Sequence, residues 1–309
     1  MHRYVIKRLL MLIPVMLGIS FILYSIMTLT PGDPARLLLG DGATEEAIEQ
    51  KRDELGLNKG FFGGYVDYLG KAAHGDFGKS YRSGEPVYKE VFTRFPNTLK
   101  LATLAIGISI IVGVLVGIIQ AVRQYSLLDN VISAITLILT SMPDFWFGLI
   151  LIILFAVELK LLPASGNQHW YNFILPGLTA SMNYTAGTIR LTRSSMLEVI
   201  RSDYIRTARA KGVDERTITY KHALKNALLP VVTLIGINLG WQLGGTIIVE
   251  QIFAIPGIGT LMIGAVRSKD TPLLMASVLF VALLASLINL VTDILYAYID
   301  PRIKAEYSK

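Results

Sequence analysis

Apolar residues run almost without interruption from Leu9 to Leu29, a stretch of 21 residues preceded by Arg3, Lys7 and Arg8. About 20 helical residues cross a hydrocarbon core of ~30 Å, so the pattern predicts a transmembrane helix. A secretory signal would have an apolar core of about 7–15 residues and a small-residue cleavage site. Here Thr30-Pro31-Gly32-Asp33-Pro34 follows instead, and the segment is expected to be retained. Further apolar runs predict spans at about Leu99–Ala121, Val131–Val157, Phe173–Ile189, Leu229–Val249 and Leu274–Tyr298. Pro143-Asp144 interrupts the third, and Pro301 prevents the last from continuing. The expected fold class is an all-α integral membrane protein with six transmembrane helices.

Charge orients these spans. An even number puts both termini on one side. The segments then assigned inside hold Arg3, Lys7, Arg8, Arg123, nine basic residues between Arg190 and Lys225, and Arg302, Lys304 and Lys309. The two short outside loops hold Lys160, Arg267 and Lys269. Sixteen basic residues against three is a positive-inside asymmetry with both termini cytoplasmic. The net charge of +6 therefore reflects membrane orientation, with no nucleic-acid partner implied. Residues 30–98 form a long extracytoplasmic loop, which escapes the charge rule. Helix formers at Thr44–Leu55 and the aromatics Phe61, Phe62, Tyr65, Tyr68 and Phe77 predict a small ordered cap with short helices.

The residues offer little chemistry. The chain has no cysteine, which excludes disulfides and thiolate metal sites. His2, His74, His169 and His222 are scattered and make no H-E-x-x-H pair. Gly78-Lys79-Ser80 looks like the end of a phosphate-binding loop, but Ala73 stands where that motif needs glycine. No catalytic, cofactor-binding or metal-binding set is expected in this chain.

Within the spans, the fourth is the least apolar. Thr179, Ser181, Asn183, Tyr184, Thr185 and Thr188 cover much of it, so it should line a wet cavity or pack on protein. Arg190 and Arg193 mark its cytoplasmic mouth or snorkel there. In the fifth span Gly236, Gly240 and Gly244 recur at four-residue steps, which predicts a helix-packing seam. Asn238, Trp241 and Gln242 lie on its other faces and could reach a pathway. Asn289 and Asp293 share a face of the sixth span; Asp293 is either functional or paired with a basic residue near the cytoplasmic end. Asp144, after Pro143, is a cap or a path residue. The candidate path set is Asp144, Asn183, Tyr184, Thr185, Asn238 and Gln242.

The cytoplasmic segment 190–228 is more structured than a solvated connector needs to be. Tyr204–Lys211 suits two helical turns, with Ser202 or Asp203 to cap the start and Gly212 to end it in a left-handed conformation. Asp214 then suits the cap of a second helix, Glu215–Ala227, and Pro230 falls near the start of span five. Ala208 and Ala210 would let a partner approach the backbone. The pattern reads as a compact docking lever.

Asp203-Tyr-Ile-Arg-Thr-Ala-Arg-Ala-Lys-Gly212 and the later His222-Ala-Leu-Lys-Asn-Ala-Leu-Leu-Pro230 closely resemble the coupling loop of the peptide/nickel family of ABC importer permeases. ABC importers in general carry Glu-Ala-Ala, three residues, then glycine, and later Leu-Pro. Here Gly212 matches the glycine, Ala208 the second alanine and Leu229-Pro230 the Leu-Pro. Arg206 and Thr207 replace Glu-Ala, and the spacing to Pro230 is longer; both departures are typical of this branch. Pro31-Gly-Asp-Pro34, Leu55-Gly-Leu57, Gly75-Asp-Phe-Gly-Lys-Ser80, Phe145-Trp-Phe-Gly148, Ile255-Pro-Gly-Ile-Gly259 and Asp300-Pro-Arg302 extend the resemblance over nearly the whole chain.

The resemblance implies a type I permease fold, a single transmembrane domain over 1–309 with its core at about 95–300, in a prokaryotic cell membrane. It implies the first of two homologous permeases in a heterodimer, with two cytoplasmic ATPases, which bind the ATP and Mg, and an extracytoplasmic binding protein. Asp203, Tyr204, Arg206, Thr207, Ala208, Lys211 and Gly212 would carry the ATPase coupling. Small peptides are the expected cargo, with nickel or a metal chelate as the alternative. A self-sufficient secondary transporter is the rival class.

Overall fold

The computed structural model describes residues 2–40 and 42–299, with the side chains of residues 2–4, 243 and 296–299 outside the description. The side chain of Arg3 and the expectations placed on Pro301, Arg302, Lys304, Lys309 and the Asp300-Pro-Arg302 motif thus lie outside the described residues. The described chain is almost wholly helical. It divides into two units, residues 1–98 with 256–309, and residues 99–255.

In the first unit, α1 (His2–Leu29) leads through Pro31-Gly32 into α2 (Pro34–Leu39), α3 (Glu45–Leu55) and α4 (Phe61–Ala73). The expected ordered cap is present, and its caps follow from its sequence. Asp33 accepts from Ala35 N at 2.9 Å, with Pro34 in the first helical turn. Arg52 of α3 donates to the same carboxylate at 2.9 Å. Gly56 ends α3 in the left-handed region, φ 69°. The predicted aromatic packing is present for Phe61 and Tyr65 of α4, which meet Phe21 and Tyr24 of α1 with ring centroids 5.4–6.0 Å apart, whereas Phe62 is exposed.

The unit closes with α13 (Ile258–Arg267) and α14 (Thr271–Ile299). The loop expected before span six therefore holds a helix of its own. Asn97 Nδ2 donates to Pro256 O at 2.9 Å and Ile258 N donates to Thr98 Oγ1 at 2.8 Å, which fixes the Ile255–Gly259 turn. The antiparallel helices α1 and α14 are tied at both ends. Arg8 pairs with Asp293 at 3.1 Å, so of the two readings of Asp293 the ion pair is the one observed. At the other end Lys269 Nζ donates to the carbonyls of Thr30 and Gly32. Beside it Asp270, fully buried, accepts from Ser80 Oγ at 2.5 Å and Arg82 N at 3.2 Å. Ser80 is thus a structural pin of the cap, and Gly75 and Gly78, with φ near 80°, serve the turn that delivers it.

α5 (Val87–Val122) carries the chain into the second unit, which continues with α6 (Leu127–Ser141), α7 (Asp144–Leu151) and a π-helical extension to Glu158. α6 and the α7 arm meet at a 110° bend. The third span is therefore a sharply broken pair, because Pro143 lacks the N–H that would continue the ladder. α8 (Ile174–Ile200) runs eleven residues beyond the expected Ile189 end, so Arg190 and Arg193 lie on a helix and not in a loop. α9 (Asp203–Ala210), α10 (Glu215–Thr217) and a π-helical stretch Ile218–Ala223 lead into α11 (Leu224–Gly245). The helix foreseen at Glu215–Ala227 is continuous with span five, and Pro230 sits inside it. α12 (Ile247–Ile252) is separate, so span five ends earlier than Val249.

Among the described residues, α1, α5, the Glu215–Gln242 stretch and α14 are each long and apolar enough to cross a membrane, and the broken α6–α7 pair makes a fifth when its two arms count as one span. α8 has 27 residues, roughly 40 Å at 1.5 Å per residue, but its polar positions keep it out of that group.

Candidate functional site

α9 is the element on which the coupling reading converges. Ser202 occupies the cap position, but its hydroxyl turns back to Val199 O at 2.6 Å instead of capping α9. Asp203 is the first helical residue, where its charge suits the helix dipole. The C-terminus matches the expectation in detail. Gly212 has φ 79°; its N–H donates to Arg209 O at 2.9 Å, and Val213 N donates to Ala208 O at 3.2 Å. These paired bonds define a glycine-terminated helix end. Asp214 caps the next turn by accepting from Thr217 N at 2.9 Å, a bond that holds its carboxyl below the usual carboxylate range. Arg209 grips Glu215 through two hydrogen bonds, 2.5 and 3.1 Å, and likewise holds that carboxyl low.

α9 presents two sides. Ile205 is fully buried in an apolar cluster with Ile118 and Ala121 of α5, Met196 of α8, Ile218, Ala223 and Ala227. Asp203, Tyr204, Arg206, Thr207, Arg209, Ala210, Lys211 and Gly212 are exposed, and Ala208 is half-buried. Tyr204 is braced by Asn226 Nδ2 at 2.8 Å. A polar, solvent-exposed surface, whose side-chain contacts stay within this segment and the start of α11, therefore sits on an apolar plug that joins three long helices.

Next to this plug lies a contact that sequence reasoning missed. Arg193 of α8 forms a two-pronged ion pair with Asp129 of α6, both bonds 2.8 Å, with the Asp129 side chain only 3% exposed. Tyr125 N donates to the same carboxylate at 2.9 Å, and Gln120 Nε2 to the Asp129 carbonyl at 3.1 Å. Bidentate geometry makes such pairs strong and directional. Arg193 is thus a fastener between α6 and α8. Its only sequence signal was a single acidic residue opening an apolar helix.

Of the candidate path residues, the structure brings Asp144 and Asn183 together, with Asn183 Nδ2 donating to Asp144 Oδ1 at 2.6 Å. Tyr184, next to Asn183 in sequence, is half-buried, and Asn238 is half-buried on α11. Thr185 and Gln242 are buried within the subunit. Gln242 Nε2 donates to Ala180 O at 3.2 Å, which fastens α11 to α8. In the glycine seam, Gly236 and Gly240 are buried, whereas a side chain at Gly244 would meet nothing within 4 Å. A closer backbone approach than at Gly244 is found elsewhere. Gly113 and Gly117 of α5 face Thr188 and Thr192 of α8, so near that an added Cβ would stand 2.6 Å from each threonine Cβ. The Gly-x-x-x-Gly spacing in span two was the signal for it.

Comparison with known proteins accords with this geometry. Residues 113–305 match the binding-protein-dependent transport system inner membrane component family, and residues 1–102 match its N-terminal membrane component. The dipeptide transport system permease protein DppB of Alkalihalophilus pseudofirmus is 41% identical, with 98% of this chain and all of that protein covered. The glutathione transport system permease protein GsiC of Escherichia coli strain K12 is 42% identical, over 98% of this chain and 99% of that one. In fold, the chain is similar to an inward-facing structure of the MetNI methionine ABC transporter, at TM-score 0.60 and 19% identity over 70% of this chain and 99% of that chain. This all-α, multi-pass chain belongs to the family of inner-membrane permease components of binding-protein-dependent transport systems.

Proposed function

We propose that this chain is the permease subunit of an ATP-driven importer of small peptides and forms half of a translocation pathway with a second, homologous permease. Two cytoplasmic ATPases supply the energy, and an extracytoplasmic binding protein delivers cargo. The observation that carries the reading is the division of α9 into an exposed polar face and the buried Ile205 anchor. An ATPase closing on Tyr204, Arg206 and Thr207 displaces Ile205, and the apolar plug passes the displacement to α5, α8 and α11. Close-packed interiors transmit such strain because they do not deform continuously. The helical run from Glu215 to Gly245 makes α11 a lever fused to its own docking loop.

Six spans, α1, α5, the α6–α7 pair, α8, α11 and α14, place both termini in the cytoplasm. The positive-inside charge distribution and the antiparallel ties between α1 and α14 support this arrangement. The Asp144–Asn183 pair, with Tyr184 and Asn238, is proposed to border the path. The relatives named for dipeptide and glutathione transport support a peptide cargo. ATP hydrolysis is assigned to the partner subunits, so this chain is not itself an enzyme.

Reconstitution tests the proposal. The chain alone in liposomes should accumulate nothing. With the second permease, both ATPases and the binding protein, ATP-dependent uptake of a labelled dipeptide should appear. Ion-gradient-driven uptake by the lone chain would replace this reading with a secondary transporter. Uptake of a nickel chelate but no peptide by the full assembly would replace the cargo.

A further inference from the structure

α4 has three faces, and protein contacts account for one. Phe61, Gly64 and Tyr65 turn toward α1. Their rings stack on Phe21 and Tyr24, Tyr65 Oη meets Ser20 Oγ at 2.9 Å and donates to Leu17 O at 3.1 Å, and Gly64 leaves room for the Tyr24 hydroxyl. A second face is polar: Asp67 pairs with Lys59 and Lys71, each at 3.0 Å. The third is apolar and, apart from half-buried Leu69 at its edge, exposed. Phe62 is 74% and Val66 65% exposed, and Gly70 and Ala73 continue the same stripe at helical spacing.

The height of the contact on α1 says what covers that stripe. Phe21 and Tyr24 lie eight and five residues before Leu29, the end of the span, which is roughly 12 and 8 Å at 1.5 Å per residue. The lower end is fixed by Arg8, paired with Asp293. The hydroxyl of Tyr65 reaches still deeper, to Leu17. α4 is therefore held beside the apolar part of α1, whose own Ile22 and Ile26 are 58% and 55% exposed. A helix with an apolar face sunk about 5–10 Å into the headgroup–acyl boundary and a charged face above it is the interfacial arrangement.

We propose that α4 is a membrane-embedded helix of the loop after the first span, with Phe62 and Val66 in contact with lipid acyl chains and Lys59, Asp67 and Lys71 at the headgroup level. The cap is then not a freely projecting domain: part of it is seated in the leaflet at the C-terminal end of α1.

Site-directed spin labelling tests this, since the chain has no cysteine. Single labels at Phe62→Cys, Val66→Cys, Lys71→Cys and, as a lipid reference on α1, Ile22→Cys would be placed in the full chain in phosphatidylcholine vesicles. Collision rates would be measured with oxygen, which concentrates in lipid, and with a water-soluble nickel chelate. The expected result is an oxygen-to-chelate ratio at Phe62 and Val66 close to that at Ile22 and several-fold above that at Lys71. A ratio at Phe62 and Val66 equal to that at Lys71, with Ile22 in lipid, would overturn the proposal by placing the stripe in water. Immobile labels shielded from both probes would overturn it by showing protein cover. Water exposure at Ile22 too would overturn both the proposal and the membrane reading of α1.

Discussion

Gly212 shows how much one residue decides. With φ 79° it occupies a region that costs a non-glycine residue roughly 1–2 kcal/mol and a β-branched residue more. Open space surrounds its missing Cβ, so the demand is conformational and not a matter of room within the chain. Gly212→Val is expected to deform the end of α9, put a branched side chain on its exposed face, and reduce ATP-dependent peptide uptake at least tenfold while membrane insertion is unchanged. Gly212→Asn should retain most activity, because asparagine tolerates the left-handed region. Equal uptake by the Val and Asn variants in the reconstituted transporter would remove the conformational argument. Ser80 teaches the opposite lesson. Its place in a Gly-Lys-Ser run suggested phosphate chemistry, yet its hydroxyl is spent on the buried carboxylate of Asp270.

At the scale of elements, the crossing of α5 on α8 is set by absence of side chains. At Gly117 a Cβ would lie 2.6 Å from Thr192 Cβ and 2.8 Å from the backbone oxygen of Ile189, and a backbone atom cannot swing aside. Forcing bulk into a packed contact costs about 1–3 kcal/mol. Gly117→Leu is therefore expected to lower the melting temperature of the detergent-solubilised chain by several degrees, with the loss near the upper end of that range. Gly107→Ala is the control on the same helix: an added Cβ there meets nothing within 4 Å, and the melting temperature should hold or rise slightly, because alanine is the better helix former. A Gly117→Leu variant as stable as Gly107→Ala would show that the two helices do not approach as closely as described. The Asp129–Arg193 pair fastens α8 to α6 close to the same level, so α8 is held by both shape and charge beside the α9 plug.

For the whole molecule, the question is which side each loop faces. On the proposed topology, with both termini in the cytoplasm, residues 30–98 lie outside and the α9 segment inside. Ser83 is exposed on the turn between Ser80 and α5, which makes it a suitable reporter. A single Ser83→Cys should react with a membrane-impermeant maleimide added to intact cells or right-side-out vesicles, and Arg206→Cys only after the cytoplasmic face is opened. Labelling of the Ser83→Cys chain from the cytoplasmic face alone would invert the orientation and, with it, the assignment of α9 to the ATPases.

Sequence by itself determined the membrane class, the approximate positions of the apolar helices and the glycine-terminated end of α9. These depend on segment length, period and a few special residues: a run of 21 apolar residues crosses a bilayer wherever it sits, and Gly212 and Asp214 act on their own neighbours. It also led to the family through motifs whose roles here are largely those of caps and turns, such as Asp33 and Gly56. Tertiary structure alone decided which polar residues are spent on packing. Gln242 bonds Ala180 O, Arg193 grips Asp129, and Lys269 closes on Thr30 and Gly32, contacts between residues 62 to 239 positions apart. It likewise decided that α8 continues past its basic residues, since a guanidinium with a carboxylate partner does not need to end a helix at the membrane surface. The same holds for α4, whose aromatic residues foretold packing but not the height on α1 at which they pack. That height is a long-range contact, and no local pattern encodes it.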